Sequence, residues 1–247
     1  MLNRFSRTEL LLGEENMSKL AQSKIAIFGI GGVGSYVAEG LARCGIGEFI
    51  LIDSDDISLT NINRQIHALE TTIGQKKTLM MKKRILSINP QAKVTTIEKL
   101  YTPESNFFNW DDDYTYIVDA VDDVKAKINL IVNANKHNLP IMSSMGTANK
   151  LDPQKFVITD IYKTHTCPLA RIMRKTLKQQ GIKKLKVLYS TEEPFTNYTV
   201  NFKENTSKDN SPASTRKQPL GSISFVPPIA GLMIAGEIVK DICQINR

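Results

Sequence analysis

The chain has 247 residues, 41% of them hydrophobic, which suits one large domain or a domain with an appendage. Its three cysteines, Cys44, Cys167 and Cys243, form no Cys-x-x-Cys pair, so neither a disulfide framework nor a structural zinc is expected, and a reducing cytoplasm is the expected compartment. The net charge of +7 is unevenly spread: residues 150–217 hold 14 basic and 6 acidic side chains against 18 and 19 elsewhere, which excludes an evenly charged surface and points to a polyanion partner.

The N-terminus carries Arg4, Arg7 and Glu9 without a long apolar core, so no secretory signal is expected. An apolar run at Lys24–Phe28 leads into Gly29-Ile30-Gly31-Gly32-Val33-Gly34, after which Val33, Val37 and Leu41 recur at helical spacing as far as Gly45. This predicts strand, glycine turn and helix. Phe49–Ile52 predicts a second buried strand ending in Asp53, and Lys77–Ile88 a helix stopped by Asn89-Pro90. Further strands are predicted at Val94–Ile97, Tyr116–Val118 and Pro140–Ser143, with a helix over about Val124–His137 between the last two. Such alternation predicts an α/β fold: a Rossmann-like, mostly parallel sheet with helices on both faces.

After Gly146 the pattern changes. Phe156–Ile161 and Leu185–Tyr189 read as strands and Pro168–Gln180 as a basic amphipathic helix, while residues 196–221 read as a long mobile loop. Phe225–Cys243 is apolar but contains Pro227, Pro228, Glu237, Lys240 and Asp241, so a buried helix is expected and no membrane insertion. The expected division is a nucleotide-binding domain over residues 1–150 and a smaller basic α+β part over 151–247. Within the latter, Lys163, Arg171, Arg174, Lys175, Lys178, Lys183, Lys184 and Lys186 form a stretch without one acidic residue. His67, His137 and His165 form no ligand spacing and are expected to be structural.

A glycine turn between strand and helix lets backbone N–H groups approach phosphates at the positive end of a helix. Taken alone, Gly29, Gly31, Gly32 and Gly34 fit a dinucleotide site, an ATP site or a tight turn, and Asp53 suits a ribose acceptor in either kind of nucleotide site. The segments that follow are more specific: Asp53-Ser54-Asp55, Asn61-Ile62-Asn63-Arg64-Gln65, Gly74-Gln75-Lys76-Lys77 and Asp119-Ala120-Val121-Asp122-Asp123. In this order they resemble the ubiquitin-activating enzymes and the bacterial adenylyltransferases of molybdopterin and thiamine biosynthesis.

The resemblance implies an ATP and Mg2+ site in which Arg64 and Lys77 meet the triphosphate, Asp122 holds the metal, Asp55 and Asn61 position ribose or phosphates, and Gln65 supports them. It also implies a homodimer in which Arg7 reaches the partner's site. Those adenylyltransferases usually carry two Cys-x-x-Cys pairs, absent here. The second half is instead similar to the tRNA threonylcarbamoyladenosine dehydratases at Gly146-Thr147-Ala148-Asn149-Lys150-Leu151-Asp152-Pro153, Asp160-Ile161-Tyr162-Lys163-Thr164, Cys167-Pro168-Leu169-Ala170-Arg171 and Ser222–Gly236. That similarity implies ATP-dependent activation of the threonyl carboxylate of a modified tRNA adenosine and closure of a ring. The basic helix carrying Arg171, Arg174, Lys175 and Lys178 would then hold tRNA phosphates. A sodium or potassium ion and sulfur-transfer helper proteins belong to the same implied set, without a side-chain pattern here.

Two other classes stay open at this level. One is an activating enzyme for a ubiquitin-like or sulfur-carrier protein, with Cys167 as either a thiol acceptor or a packing position. The other is a nicotinamide oxidoreductase or a non-catalytic nucleotide-binding module, in which Arg64 and Lys77 have no evident task.

Overall fold

Strands β1 (Lys24–Phe28), β2 (Glu48–Ile52), β3 (Lys93–Ile97), β4 (Tyr116–Asp119), β5 (Ile141–Ser144), β6 (Phe156–Asp160) and β7 (Lys186–Ser190) form one seven-stranded sheet of order β3-β2-β1-β4-β5-β7-β6. The computed structural model describes residues 2–195 and 220–245. All neighbouring strands are parallel except β6, which closes the edge antiparallel to β7. Central strands buried on both faces need near-continuous apolar runs, which Ile25–Phe28 and Phe49–Ile52 supply. The boundary expected at residue 150 falls inside this sheet: β7, from the basic part, pairs with β5 through Ser143 and Val187.

Helices α1 (Ser6–Leu12) and α2 (Glu14–Gln22) precede β1, followed by α3 (Gly34–Cys44), α4 (Lys77–Ile88), α5 (Val124–Lys136), α6 (Pro168–Gln179) and α7 (Val226–Cys243). One face of the sheet is covered by α3, α4 and α7, whose Val37, Leu41, Met81, Ile85, Ala230 and Ile234 form one apolar cluster with β1 and β2. The opposite face is covered by α5 and α6 through Ala126 and Leu130 over β1, β2 and β4 and through Met173 and Leu177 beside β7. The sheet is thus sandwiched, as expected for this fold class.

Local signals account for the boundaries. Gly45 adopts a left-handed conformation (φ 94°) and its N–H bonds back to the carbonyls of Leu41 and Ala42, which ends α3. Asn89 ends α4 immediately before Pro90. Pro168 opens α6 at a position where no N–H is needed. The apolar segment Phe225–Cys243 is the buried helix α7, as expected, because a helix apolar on nearly all sides must be enclosed. Among the described residues no helix is long and apolar enough to cross a membrane. The expected loop 196–221 lies, except for its last two residues, outside the described residues.

Close backbone approach seats α7 on α3: a Cβ on Gly231 would fall 2.4 Å from the Val33 carbonyl oxygen. The far end of α7 is tied to the sheet by charge. Lys186 Nζ lies 2.6 Å from Asp241 and 2.9 Å from Glu237, and the Tyr116 hydroxyl donates to Asp241 at 2.8 Å. With both ends fixed, Pro227 in the first turn of α7 reaches the glycine turn, where a Cβ on Gly32 would sit 3.0 Å from Pro227 Cβ.

Candidate active site

Connections from β1 run to one side of the sheet through β2 and β3, and those of β4 to the other side, so the chain reverses direction between β1 and β4. Crevices outside the carboxyl ends of strands at such a point are where open α/β sheets bind ligands. Here a cleft of about 630 Å³ opens, floored by Gly29, Gly31, Gly32 and Val33. Gly29 has φ 87°, and a Cβ there would lie 2.6 Å from the Ala120 carbonyl oxygen, so only glycine lets the turn cross the end of β4. A Cβ on Gly31, by contrast, would meet only Gln65 Nε2 at 4.0 Å, which leaves open space above the turn. The N–H groups of Gly31, Gly32 and Val33 meet no acceptor among the described residues.

Gly34 lies behind the turn and does not line the cleft; its missing Cβ would fall 1.8 Å from the Gly29 carbonyl oxygen. Its work is close helix–strand packing. Asp53, at the end of β2, lines the cleft and braces the turn: Oδ2 accepts from the Ile30 N–H at 2.7 Å and Oδ1 from the Asp55 N–H at 2.8 Å. Burial pushes its carboxyl up from the ordinary value, against the opposing pull of Lys77 and of those two N–H groups. Beneath the turn, His67 Nε2 lies 3.0 Å from the Ile30 carbonyl oxygen, and burial pushes its pKa down to about 4. A neutral, buried His67 supports the turn as a structural residue.

The next segment supplies the cations. Asn61 closes a short 3-10 turn (Leu59–Asn61), its Oδ1 accepting from the Ser58 N–H at 3.1 Å. Arg64 follows, with its stem 3.4 Å from where a Gly32 Cβ would stand and its guanidinium donating to Thr60 O at 2.9 Å and Asn63 Oδ1 at 2.8 Å. Gln65 is buried beside it. Lys77, the first residue of α4, is buried, and its ammonium lies 2.6 Å from Asp55 Oδ2. Asn61, Arg64, Gln65, Lys77 and Asp55 all line the cleft.

On the β4 side, Asp119 is fully buried and bound by Lys127 Nζ at 3.0 Å and by the Ser143 hydroxyl at 2.5 Å. Asp123 caps α5 by accepting from the Ala126 N–H at 2.8 Å. Between them Asp122 is exposed on the cleft wall and has no hydrogen-bond partner among the described residues. No group of three or more His, Cys, Asp or Glu side chains able to hold a metal occurs among the described residues.

Expected residues outside the cleft are Arg7 and the α6 cations. Arg7 is exposed on α1. Arg171, Lys175 and Lys178 are exposed along α6, whereas Arg174 is half-buried and donates to the Thr164 hydroxyl. The first turn of α6 nevertheless reaches the cleft through Leu169. Cys167 is buried in the cluster under α6, a packing position.

The cleft is also lined by Lys99, Leu100 and Tyr101 after β3, by Leu220, and by Ser222 and Pro227 of the segment Ser222–Gly236 that carries part of the resemblance. Position just beyond a strand end could have pointed to the first three. The others are brought in by distant contacts. Asn149, left-handed at φ 56°, donates its N–H to Gly221 O at 2.8 Å and accepts from the Gly221 N–H through Oδ1 at 2.7 Å.

A family model described as the ThiF family matches residues 5–247. The chain is 43% identical over 247 residues to tRNA threonylcarbamoyladenosine dehydratase of Bacillus subtilis (strain 168), covering 99% of this chain and 96% of that protein. The crystal structure of Escherichia coli tRNA N6-threonylcarbamoyladenosine dehydratase in complex with ATP superposes with a TM-score of 0.83 at 31% identity, over 98% of this chain and 94% of that one. Similarity to the Zea mays adenylyltransferase and sulfurtransferase MOCS3-1 is 35% over 156 residues, covering 62% of this chain and 33% of that protein.

Proposed function

Because the chain belongs to the ThiF family, we propose that it is an ATP-dependent tRNA threonylcarbamoyladenosine dehydratase. The observation that carries this reading is the 43% identity that runs over 99% of the chain and 96% of the Bacillus subtilis dehydratase. The carrier-protein adenylyltransferase reading is weaker: similarity there stops at 62% of the chain, and the three cysteines include no Cys-x-x-Cys pair. Pyrophosphate release separates the two. Release stimulated by tRNA bearing threonylcarbamoyladenosine supports the dehydratase, and release stimulated only by a carrier protein overturns it.

The cleft has what ATP needs. Unpaired N–H groups over a glycine turn, at the start of α3, suit a phosphate chain, and Arg64 and Lys77 supply fixed positive charge beside it. Asp53 stands where a ribose hydroxyl is accepted in this class of fold. Asp55 holds Lys77 and, with Asn61 and Gln65, orients the cationic wall. Mg2+ fits a site of one free carboxylate plus substrate phosphates, because it keeps waters and needs no protein cage, and Asp122 is that carboxylate. Bound there, Mg2+ neutralises charge on the phosphates. A sodium or potassium ion belongs to the same reading without an assigned ligand.

In the reaction, a threonyl carboxylate oxygen bonds to the α-phosphorus of ATP and the bond to the bridging oxygen breaks, releasing pyrophosphate. The tethered ureido group then bonds to the activated carbonyl, giving up a proton and expelling AMP. The water oxygen leaves in AMP. Arg64, Lys77 and the turn N–H groups stabilise charge as it moves onto the leaving phosphates, and tethering supplies the remaining advantage. Little acid–base work falls to the protein.

The active unit is a homodimer in this reading, with Arg7 acting in the partner's cleft. Its exposure on α1, away from the cleft of its own chain, supports that role. Mixing inactive Arg7→Ala with inactive Asp122→Ala is expected to restore activity, since one heterodimer site is complete. Confirmed subunit exchange with no recovery would count against action in the partner. The cytoplasm, where tRNA is modified, suits three free thiols, and sulfur-transfer helper proteins belong to the same reading.

The exposed face of α6 holds tRNA phosphates, and Leu169 links that helix to the cleft. Removing one cation that neutralises a phosphate lowers the slope of log affinity against log salt by roughly 0.7 to 0.9. The Arg171→Ala, Lys175→Ala, Lys178→Ala variant is therefore expected to bind tRNA more weakly, with a slope smaller by roughly 2 to 3, and to keep its ATP affinity. Arg174 is left in place because it also serves Thr164. An unchanged slope with unchanged tRNA affinity would move the tRNA-binding face elsewhere, for which Lys203, Lys208, Arg216 and Lys217, outside the described residues, are the next candidates.

A further inference from the structure

Lys127 is the most enclosed of the three buried lysines among the described residues: it sits on the second turn of α5 with 1% of its side chain exposed, against an Asp119 with none. Its ammonium donates to Asp119 Oδ1 at 3.0 Å and to the Val121 carbonyl oxygen at 2.9 Å. Asp119 is held in turn by the Ser143 hydroxyl at 2.5 Å and accepts from the Val121 N–H at 3.3 Å. Both backbone groups of Val121 are therefore fastened to the core, one residue before Asp122. One residue after it, Asp123 is fastened by capping α5.

A buried ion pair contributes little net stability, since desolvating both charges offsets most of their attraction. The reason to keep one here is geometric. Lys127 neutralises Asp119 and clamps the carbonyl of Val121, so the segment presents a single unpaired carboxylate, Asp122, to the cleft at a defined height. We propose that Lys127 is a positioning residue for Asp122: it sets where the Mg2+-bearing carboxylate stands without touching nucleotide or metal. The inference rests on the reading of Asp122 as the residue that holds Mg2+ with ATP.

The test is the Mg2+ concentration that half-saturates ATP binding, measured by calorimetry at fixed ATP, alongside kcat and KM for ATP and thermal unfolding. The Lys127→Met, Asp119→Asn double variant removes both charges and keeps both shapes. It is expected to fold and unfold near the parent temperature, to need at least tenfold more Mg2+, and to lose kcat while KM at saturating Mg2+ changes little. Lys127→Arg is expected to recover part of the Mg2+ affinity. A merely structural lysine would lower the unfolding temperature and leave the Mg2+ demand of folded protein untouched, and that result in the double variant overturns the proposal. Ser143→Ala, which removes the other donor to Asp119, gives a milder second reading: a smaller shift in the same direction supports the proposal, and no shift opposes it. Asp122→Ala serves as the reference. If it raises the Mg2+ demand and the Lys127 variants do not, the positioning role fails alone; if Asp122→Ala itself changes nothing, the metal reading fails.

Discussion

Replacing Lys77 by alanine is expected to lower the turnover number at saturating ATP and modified tRNA by at least about a hundredfold, the scale for one missing charge-stabilising group in a water-poor site. Lys77 is buried at the first turn of α4, and Asp55, 2.6 Å away, holds its ammonium at the cleft wall. Among the described residues no other lysine lines that wall except Lys99, which belongs to the loop after β3. Truncation therefore removes one of the two fixed cations assigned to the phosphates and leaves Asp55 without its partner on the same wall. Arg64→Ala and Asp122→Ala are expected to match this loss, each through a different partner, the phosphates for Arg64 and the metal for Asp122. Steady-state kinetics on protein with unchanged circular dichroism reads the effect. Full activity of Lys77→Ala at saturating ATP would remove that lysine from the machinery.

Gly34→Ala is expected to be strongly destabilising for a single added methyl group. The new Cβ would stand 1.8 Å from the Gly29 carbonyl oxygen and 3.4 Å from Ala120 Cβ, so α3 must retreat from the turn. Gly29 has little freedom to yield, because its N–H is bonded to the Ile52 carbonyl oxygen at the end of β2 at 2.9 Å. Overpacking of a tight core costs typically about 1–3 kcal/mol, and a backbone atom that cannot rotate away puts this case at about 3 or more. The same movement displaces the N–H groups of the turn, so ATP affinity falls with stability. Gly236→Ala is the internal contrast: it lies within α7, an added Cβ meets nothing within 4 Å, and a gain of roughly 0.5–1 kcal/mol is expected from helix propensity alone. Denaturant unfolding of the two variants measures both signs. Equal stabilities would contradict the packing described for Gly34.

Local signals are legible where chain neighbours determine structure. The run Lys24–Phe28, the glycines after it and the helix up to Gly45 can be read at their observed limits, because apolar continuity, a glycine turn and a left-handed terminating glycine all act within a few residues. The helix at Lys77–Ile88 is equally plain. Helices α1 and α2 have no such signal: they are short, and Gly13 separates them at φ 81°. The insertion of β7 between β5 and β6 is also hidden in the sequence, since strand order depends on pairing across tens of residues.

The site divides in the same way. Gly29, Gly31, Gly32, Asp53, Asn61, Arg64, Gln65, Lys77 and Asp122 follow strand ends in order, so their convergence on one cleft is readable from spacing and resemblance. Gly34 belongs to the same motif yet faces the back of the turn, a distinction that depends on how closely α3 packs. Pro227 enters only because α7 lies against α3, and Lys127 reveals itself only through burial against Asp119. A lysine one helical turn inside a capped helix otherwise reads as a solvated face.

The central claim, carboxylate activation of a tRNA nucleoside, is tested most directly by incubating the purified protein with ATP, Mg2+ and tRNA that carries threonylcarbamoyladenosine, then digesting the tRNA and weighing its nucleosides by mass spectrometry. The account predicts that this nucleoside loses the mass of one water, with AMP and pyrophosphate formed in equal amount, and that Lys77→Ala protein leaves it unchanged. An unaltered nucleoside in the presence of folded, ATP-binding protein would contradict the account.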